Sequence, residues 1–197
     1  MSTPAGLRIL RAADRTATPW KNGGGVTREI AARPEHAGTA DFAWRVSLAE
    51  VDTDGPFSVF PGVDRTLTLA EGAGMDLTVA GERRLVGERY APRHFPGDRP
   101  TDCRLLDGPV VNFNVMYRRD RTEARTAVVR GELDLVVAPD ETVLLVALDG
   151  PAAFDRTDAP GPPAELAPYD ALLATGPLTG LVRTTARAAL VRLRTTG

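Results

Sequence analysis

The sequence predicts an all-β protein, a sandwich or barrel, and three observations carry that expectation. Turn punctuation is dense: Gly-Pro occurs five times, at Gly55, Gly108, Gly150, Gly161 and Gly176. Between the turns lie short runs rich in Val, Leu and Thr at strand-length spacing. No uninterrupted segment keeps a helical period over three turns. The Ala/Leu-rich stretch 163–174 is broken by Pro168 and admits at most one short helix.

Taken in chain order, the first conspicuous block is Trp20-Lys-Asn-Gly-Gly-Gly-Val-Thr-Arg-Glu-Ile. Three consecutive glycines cost backbone entropy, so they mark either a tight turn before a strand or a backbone that approaches a ligand through its N–H groups. Lys21 and Asn22 would then supply charge and a hydrogen-bond donor. Of 24 basic residues Lys21 is the one lysine, which reads equally as a chance survivor of an arginine-biased composition or as a position suited to a compact ammonium rather than a planar fork. The spacing of a phosphate-binding P-loop is absent.

A strand over Asp41–Val51 places Phe42, Trp44, Val46 and Leu48 on one face and Ala43, Arg45, Ser47 and Ala49 on the other. The large residues suit packing against a second layer. The small ones leave room inside a barrel, with Arg45 as a charged anchor that needs an anion, either a side-chain carboxylate or a bound molecule. Gly55-Pro-Phe-Ser-Val-Phe-Pro-Gly-Val-Asp-Arg follows, with Phe57 and Phe60 as apolar plugs and Pro61-Gly62 as a type II turn. Asp64-Arg65 reads equally as a local ion pair or as a second anion anchor.

Further strands are expected at Arg65–Leu69, Met75–Val79, Val110–Tyr117, Thr142–Leu148, Gly180–Thr185 and Ala188–Arg194, and Pro96-Gly97 fits another type II turn. Asn112 and Asn114 share one strand face, where two amides could line a pocket wall. An internal repeat is visible at an offset of about 78 residues. Thr66-Leu-Thr-Leu-Ala-Glu-Gly parallels Val143-Leu-Leu-Val-Ala-Leu-Asp-Gly, and Tyr90 and Tyr169 follow 18 and 19 residues after the respective glycines. The offset is consistent with two β-barrel halves, although an apolar strand ended by an acidic-Gly turn is common.

Composition narrows the function. A net charge of −2 over 24 basic and 26 acidic residues gives no footprint for nucleic acid. No apolar run reaches the length of a membrane span, and no secretory signal is readable at the N-terminus. Cys103 is the single cysteine and fits a reducing compartment, so a cytoplasmic location is expected. Two histidines, His36 and His94, stand far apart and provide no His-x-His cluster, so neither a metal nor a cofactor is expected. A homodimer is compatible with all of these features.

Together the blocks resemble the HutD/Ves family. The matching stretches are Trp20-Lys-Asn-Gly-Gly-Gly with Thr27 and Glu29, Trp44-Arg-Val-Ser, Gly55-Pro-Phe-Ser with Phe60-Pro-Gly-Val-Asp-Arg-Thr-Leu, Phe95-Pro-Gly-Asp, and Gly108-Pro-Val with Phe113-Asn-Val-Met. The resemblance implies a bicupin: two cupin-like barrel (jelly-roll) halves, residues 1–120 with the ligand pocket and a smaller half at 121–197, packed as one unit. It also implies a metal-free pocket for a small carboxylate related to histidine breakdown, in a sensor or regulatory role. The expected ligand-binding set is Lys21, Asn22, Gly24, Thr27, Arg45, Ser47, Phe60, Arg65, Asn112 and Asn114. Asn112 stands where the family commonly has an acid. The alternative is a metal-independent isomerase or lyase acting on a small organic acid, for which Glu29, Tyr90 and His94 are the candidate acid/base groups.

Overall fold

The computed structural model describes residues 6–38 and 41–196. In chain order the strands are β1 (Gly6–Leu10), β2 (Ala17–Pro19), β3 (Gly25–Arg33), β4 (Trp44–Val51), β5 (Gly55–Phe57), β6 (Val63–Glu71), β7 (Met75–Val79), β8 (Glu82–Val86) and β9 (Arg93–Pro96). They continue with β10 (Thr101–Leu105), β11 (Val110–Arg118), β12 (Thr122–Val137), β13 (Glu141–Ala147), β14 (Ala152–Arg156), β15 (Ala164–Leu166), β16 (Ala171–Thr175) and β17 (Leu178–Thr195). Among the described residues the only helical turn is a 3-10 segment at Ala12–Asp14, so none is long or apolar enough to cross a membrane.

Two compact units divide the chain. One runs from Arg15 to Thr122; the other joins residues 6–14 to 123–196. Residues 6–14 belong with residues 123–196 because β1 pairs antiparallel with β16.

The unit of residues 15–122 has a six-stranded sheet ordered β2-β3-β4-β11-β6-β9 and a four-stranded sheet ordered β5-β10-β7-β8. Their inward side chains build one core. Val51, Leu67, Leu69 and Val110 from the first sheet meet Met75, Leu77, Val79 and Cys103 from the second. Alternation explains the pattern, since residues two apart on a strand face the same way. On β4 the side chains of Trp44, Val46 and Leu48 are all buried, as are Ser47, Ala49 and Val51 on the opposite face. Phe42 departs from its expected place: the strand begins only at Trp44, and Phe42 packs instead with Val63 and Met116. Pro61-Gly62 makes the expected turn, with Gly62 at φ 72° and Val63 N donating to Phe60 O at 3.2 Å. Pro96-Gly97 does not, because Pro96 ends β9 and Gly97 has no positive φ.

In the other unit β1, β16, β13, β17, β14 and β15 form a single sheet path, with β12 also pairing β17. The region expected to allow a short helix is instead β15 and β16, and the two strands expected between 180 and 194 are one continuous strand. The internal repeat has a structural counterpart. Tyr90 and Tyr169 both adopt left-handed backbone conformations, at φ 66° and 65°, and their amides donate to Leu69 O and Ala147 O respectively. The interiors differ, however. Where β6 and β11 carry Arg65 and Asn114, the matching strands β13 and β17 carry Val143 and Leu190, and the second core is filled by apolar side chains.

Asp170 fastens the N-terminal segment to this second unit. Its carboxylate accepts hydrogen bonds from Ala12 N and from an Arg11 guanidinium, both at 2.7 Å, and from Ala167 N at 3.2 Å. Burial alone would raise its pKa, but the Ala12 amide, the Arg11 guanidinium and the Ala167 amide outweigh it, so the pKa lies below the ordinary 3.8. A depressed carboxyl pKa contributes stability that is complete above about pH 4 and is lost as pH falls through the folded value. Asp170→Asn is therefore expected to cost about 1–3 kcal/mol at neutral pH and progressively less in acid. Melting curves recorded from neutral pH down to about pH 2.5 check this through the convergence of wild type and variant.

Candidate functional site

The site lies within the unit of residues 15–122. Register between β4, β11 and β6 arranges the inward side chains in rows. Arg45, Met116 and Arg65 form one row, Ser47, Asn114 and Leu67 the next, and Ala49, Asn112 and Leu69 the deepest. A β-bulge in β3, between Glu29 and Ala31, brings Glu29 opposite Ser47. Residues 18–22, from β2 into the loop after it, and 56–61, from β5 into the following loop, close the sides. The result is a cleft of about 910 Å³, a size that suits a small metabolite.

Arg65 is the electrostatic centre of this cleft. Its guanidinium lies 5.0 Å from the Phe57 ring centroid and 5.4 Å from that of Phe95, which holds its plane in place. Its Nε is buried without a hydrogen-bond partner, and no carboxylate among the described residues forms an ion pair with it. Burial lowers its pKa to about 10, so the side chain remains a cation at neutral pH but a poorly solvated one. The adjacent Asp64 is not its partner. Asp64 points the other way and joins Asp98 in holding Arg119, each at 2.7 Å.

Arg65 is supported on two sides. Trp20 Nε1 donates to Thr27 Oγ1 at 2.8 Å, and the indole meets Phe57 edge-on with centroids 6.2 Å apart. Thr27 thus fixes Trp20, Trp20 fixes Phe57, and Phe57 covers Arg65. On the opposite side Gly97 leaves space: a Cβ there would sit 3.0 Å from Arg65 Cγ and 3.0 Å from Val63 O.

Of the two partners the sequence allowed Arg45, a side-chain carboxylate or a bound molecule, the structure shows the carboxylate. Its Nε donates to Glu29 Oε2 at 2.7 Å, so its charge is met by a side-chain carboxylate across the β3 bulge. It still lines the cleft, beside Ser47.

Of the ten expected ligand-binding residues, Lys21, Asn22, Thr27, Arg45, Ser47, Phe60, Arg65 and Asn114 line the cleft. Lys21 is exposed there and forms no ion pair among the described residues. Gly24 and Asn112 do not line it. Gly24 N donates to Asn22 Oδ1 at 3.1 Å and Gly23 N to Trp20 O at 3.0 Å, so these amides are occupied within the loop and are not presented to a ligand. Asn112 sits one row deeper, 1% exposed.

The sequence reading missed Trp20, Phe57, Met116 and Arg118 as cleft residues. Phe57 was legible only as an apolar plug, because its role depends on β5 crossing in front of β6. The acid/base candidates Glu29, Tyr90 and His94 do not line the cleft. Glu29 is held by Arg45, Tyr90 Oη accepts from Arg89 at 2.6 Å, and His94 is on β9, its Nδ1 2.7 Å from Thr66 Oγ1. Cys103 is buried in the core, where desolvation and the nearby Asp54 push its thiol up to about 12. Among the described residues no group of three or more His, Cys, Asp or Glu side chains is placed to hold a metal ion.

Comparison with known proteins places this geometry. An uncharacterized 21.2 kDa protein from the hutC 3' region of Pseudomonas putida is 40% identical over 119 residues, 60% of this chain and 62% of that one. Protein Ves of Cronobacter sakazakii is 41% identical over 110 residues, 55% of this chain and 59% of its own. The chain therefore matches about three fifths of the length of these relatives. The structure of HutD from Pseudomonas fluorescens SBW25 is similar throughout, with a TM-score of 0.83, 34% identity, and coverage of 98% of this chain and 100% of that one. More distant likenesses concern the fold alone. Ylba of Escherichia coli has a TM-score of 0.73 at 8% identity, covering 100% of this chain and 93% of that one. Oxalate decarboxylase of Bacillus subtilis has 0.65 at 9%, covering 98% and 78%; both are cupin-fold proteins, and the all-β cupin architecture is shared here. With the HutD family profile matching residues 12–191, the chain belongs to the HutD family.

Proposed function

We propose that the cleft of residues 15–122 binds a small organic carboxylate, with Arg65 as the principal anion anchor. The chain would use that binding as a cytoplasmic sensor or regulator of histidine utilisation. The observation that supports this most is the half-buried Arg65 guanidinium, set over the rings of Phe57 and Phe95 and lacking an acidic partner among the described residues. An uncompensated cation in a desolvated setting is unfavourable, and a bound anion relieves it. A planar, pre-oriented guanidinium suits a carboxylate, which it can meet with two parallel hydrogen bonds. Lys21 at the mouth adds attraction for the same sign of charge. The regulatory assignment rests on family membership; Tyr90 and His94 do not line the cleft and Glu29 is engaged by Arg45 beside it, which favours binding over turnover.

Titration calorimetry and thermal shift with a panel of mono- and dicarboxylates, including acids formed in histidine breakdown, test the proposal. Saturable binding of one molecule per chain is expected, with about 2.7 kcal/mol of added stability at a hundredfold excess over Kd, and no consumption of the ligand. Failure of every carboxylate to bind at millimolar concentration would overturn the proposal. Conversion of a bound acid would return the isomerase or lyase reading.

A further inference from the structure

Taking the cleft as a carboxylate site, we infer that its ligand carries its own O–H or N–H donor a few atoms from the carboxylate, and that Asn114 reads that donor. Asn114 is 4% exposed, lines the cleft, and sits directly opposite Ser47 and Leu67. Its Nδ2 faces Asn112 O at 3.4 Å, an arrangement that fixes which end of the amide is the acceptor. The Oδ1 so defined has no hydrogen-bond partner among the described residues. Behind it Asn112 repeats the pattern: Nδ2 lies 3.8 Å from Met75 Sδ, and Oδ1 is again buried without a partner.

Buried acceptors are nearly always satisfied, and two orphans on adjacent rows of one strand face are unusual. An acceptor cannot receive a carboxylate oxygen, because both would present lone pairs. The anion therefore belongs at the Arg65 end and a donor at the Asn114 end. Arg65 and Asn114 are diagonal neighbours on adjacent strands, a relation that separates side-chain origins by about 7–8 Å. A hydroxy or amido acid of a few carbons spans that interval, whereas a plain aliphatic acid leaves Oδ1 unpaired.

Matched probes isolate the donor: 3-hydroxybutyrate against butyrate, and malate against succinate, titrated calorimetrically into the full chain. In the wild type the hydroxy acid of each pair is expected to bind about tenfold tighter or more. Asn114→Leu should reduce that preference to less than about twofold, read as the ratio of the two Kd values within each pair. Its melting temperature without ligand should be equal or higher, since an unsatisfied acceptor has been removed. Asn114→Ala gives the same comparison if leucine does not pack. Equal affinities within each pair in the wild type, or a preference that survives in both variants, would overturn the inference while leaving the carboxylate site standing. Absence of binding by all four acids would overturn the inference, and the carboxylate site then stands or falls by the wider panel.

Discussion

Arg65→Met is expected to weaken carboxylate binding by roughly ten- to a hundredfold without lowering the melting temperature of the unliganded protein. The binding loss follows from removing charge-assisted hydrogen bonds worth about 1.5–3 kcal/mol, at about 1.4 kcal/mol per factor of ten. Unchanged stability is the more diagnostic half. A guanidinium in an ion pair would leave its carboxylate stranded when removed, at a cost of about 3–5 kcal/mol for a buried pair. Arg65 has no such partner among the described residues, and burial already holds its pKa down at about 10. Methionine keeps the apolar stem and places sulfur between the rings of Phe57 and Phe95, a favourable contact in itself. Arg65→Lys should recover little affinity, because an ammonium neither stacks on two rings nor offers a planar fork. Calorimetric Kd and melting temperature measured on the same preparations decide the matter. A variant that melts much lower yet binds carboxylate with wild-type affinity would reduce Arg65 to a structural residue.

The contrast between Arg65 and Arg45 shows what was legible in the sequence. Alternation set Arg45, Ser47 and Ala49 on one face of β4, the face that lines the cleft, whereas the pairing that puts Asn114 of β11 opposite Ser47 was not legible within either strand. Alternation left open whether Arg45 meets a side-chain carboxylate or a bound molecule, because its contact with Glu29 depends on a bulge between Glu29 and Ala31 which shifts the register of β3 by one residue. The status of Arg65 was within reach. Period two puts Arg65 with Leu67 and Leu69 and turns Asp64 toward Thr66 and Thr68, so the neighbouring acid was never well placed to neutralise it. What no local pattern contained is the aromatic cover, since Phe57 and Phe95 come from strands on different sheets. The repeat between halves was visible only as an acidic-Gly turn and a trailing tyrosine. Its physical content is a shared strained backbone at Tyr90 and Tyr169, which a sequence does not display.

Gly25→Ala is expected to be the most damaging single methyl group in the N-terminal loop, costing about 3–5 kcal/mol and lowering the melting temperature by roughly 10 °C. A Cβ at Gly25 would lie 2.2 Å from Glu50 O, a backbone atom of β4 that no side-chain rotation can move aside. Relief requires β3 to separate from β4 at its first pair, Gly25 with Val51. Gly25 O also accepts from Trp20 N at 2.9 Å, so the displacement carries into Trp20 and from there to Phe57. Gly23 is constrained differently. It has open space around a Cβ position but a φ of 72°, so Gly23→Ala should cost only about 1–2 kcal/mol, and Gly23→Asn less, because asparagine tolerates the left-handed region. This ordering distinguishes a glycine run that shapes the loop from one that presents amides to a ligand. If the run works by shape, Gly23→Asn retains carboxylate affinity, and Gly25→Ala loses stability and affinity together because it moves the loop bearing Lys21. If the amides contact the ligand, Gly23→Asn loses affinity at unchanged stability. With Gly23 N and Gly24 N already donating inside the loop, the first outcome is expected, and melting temperature plotted against Kd for the three variants tests it.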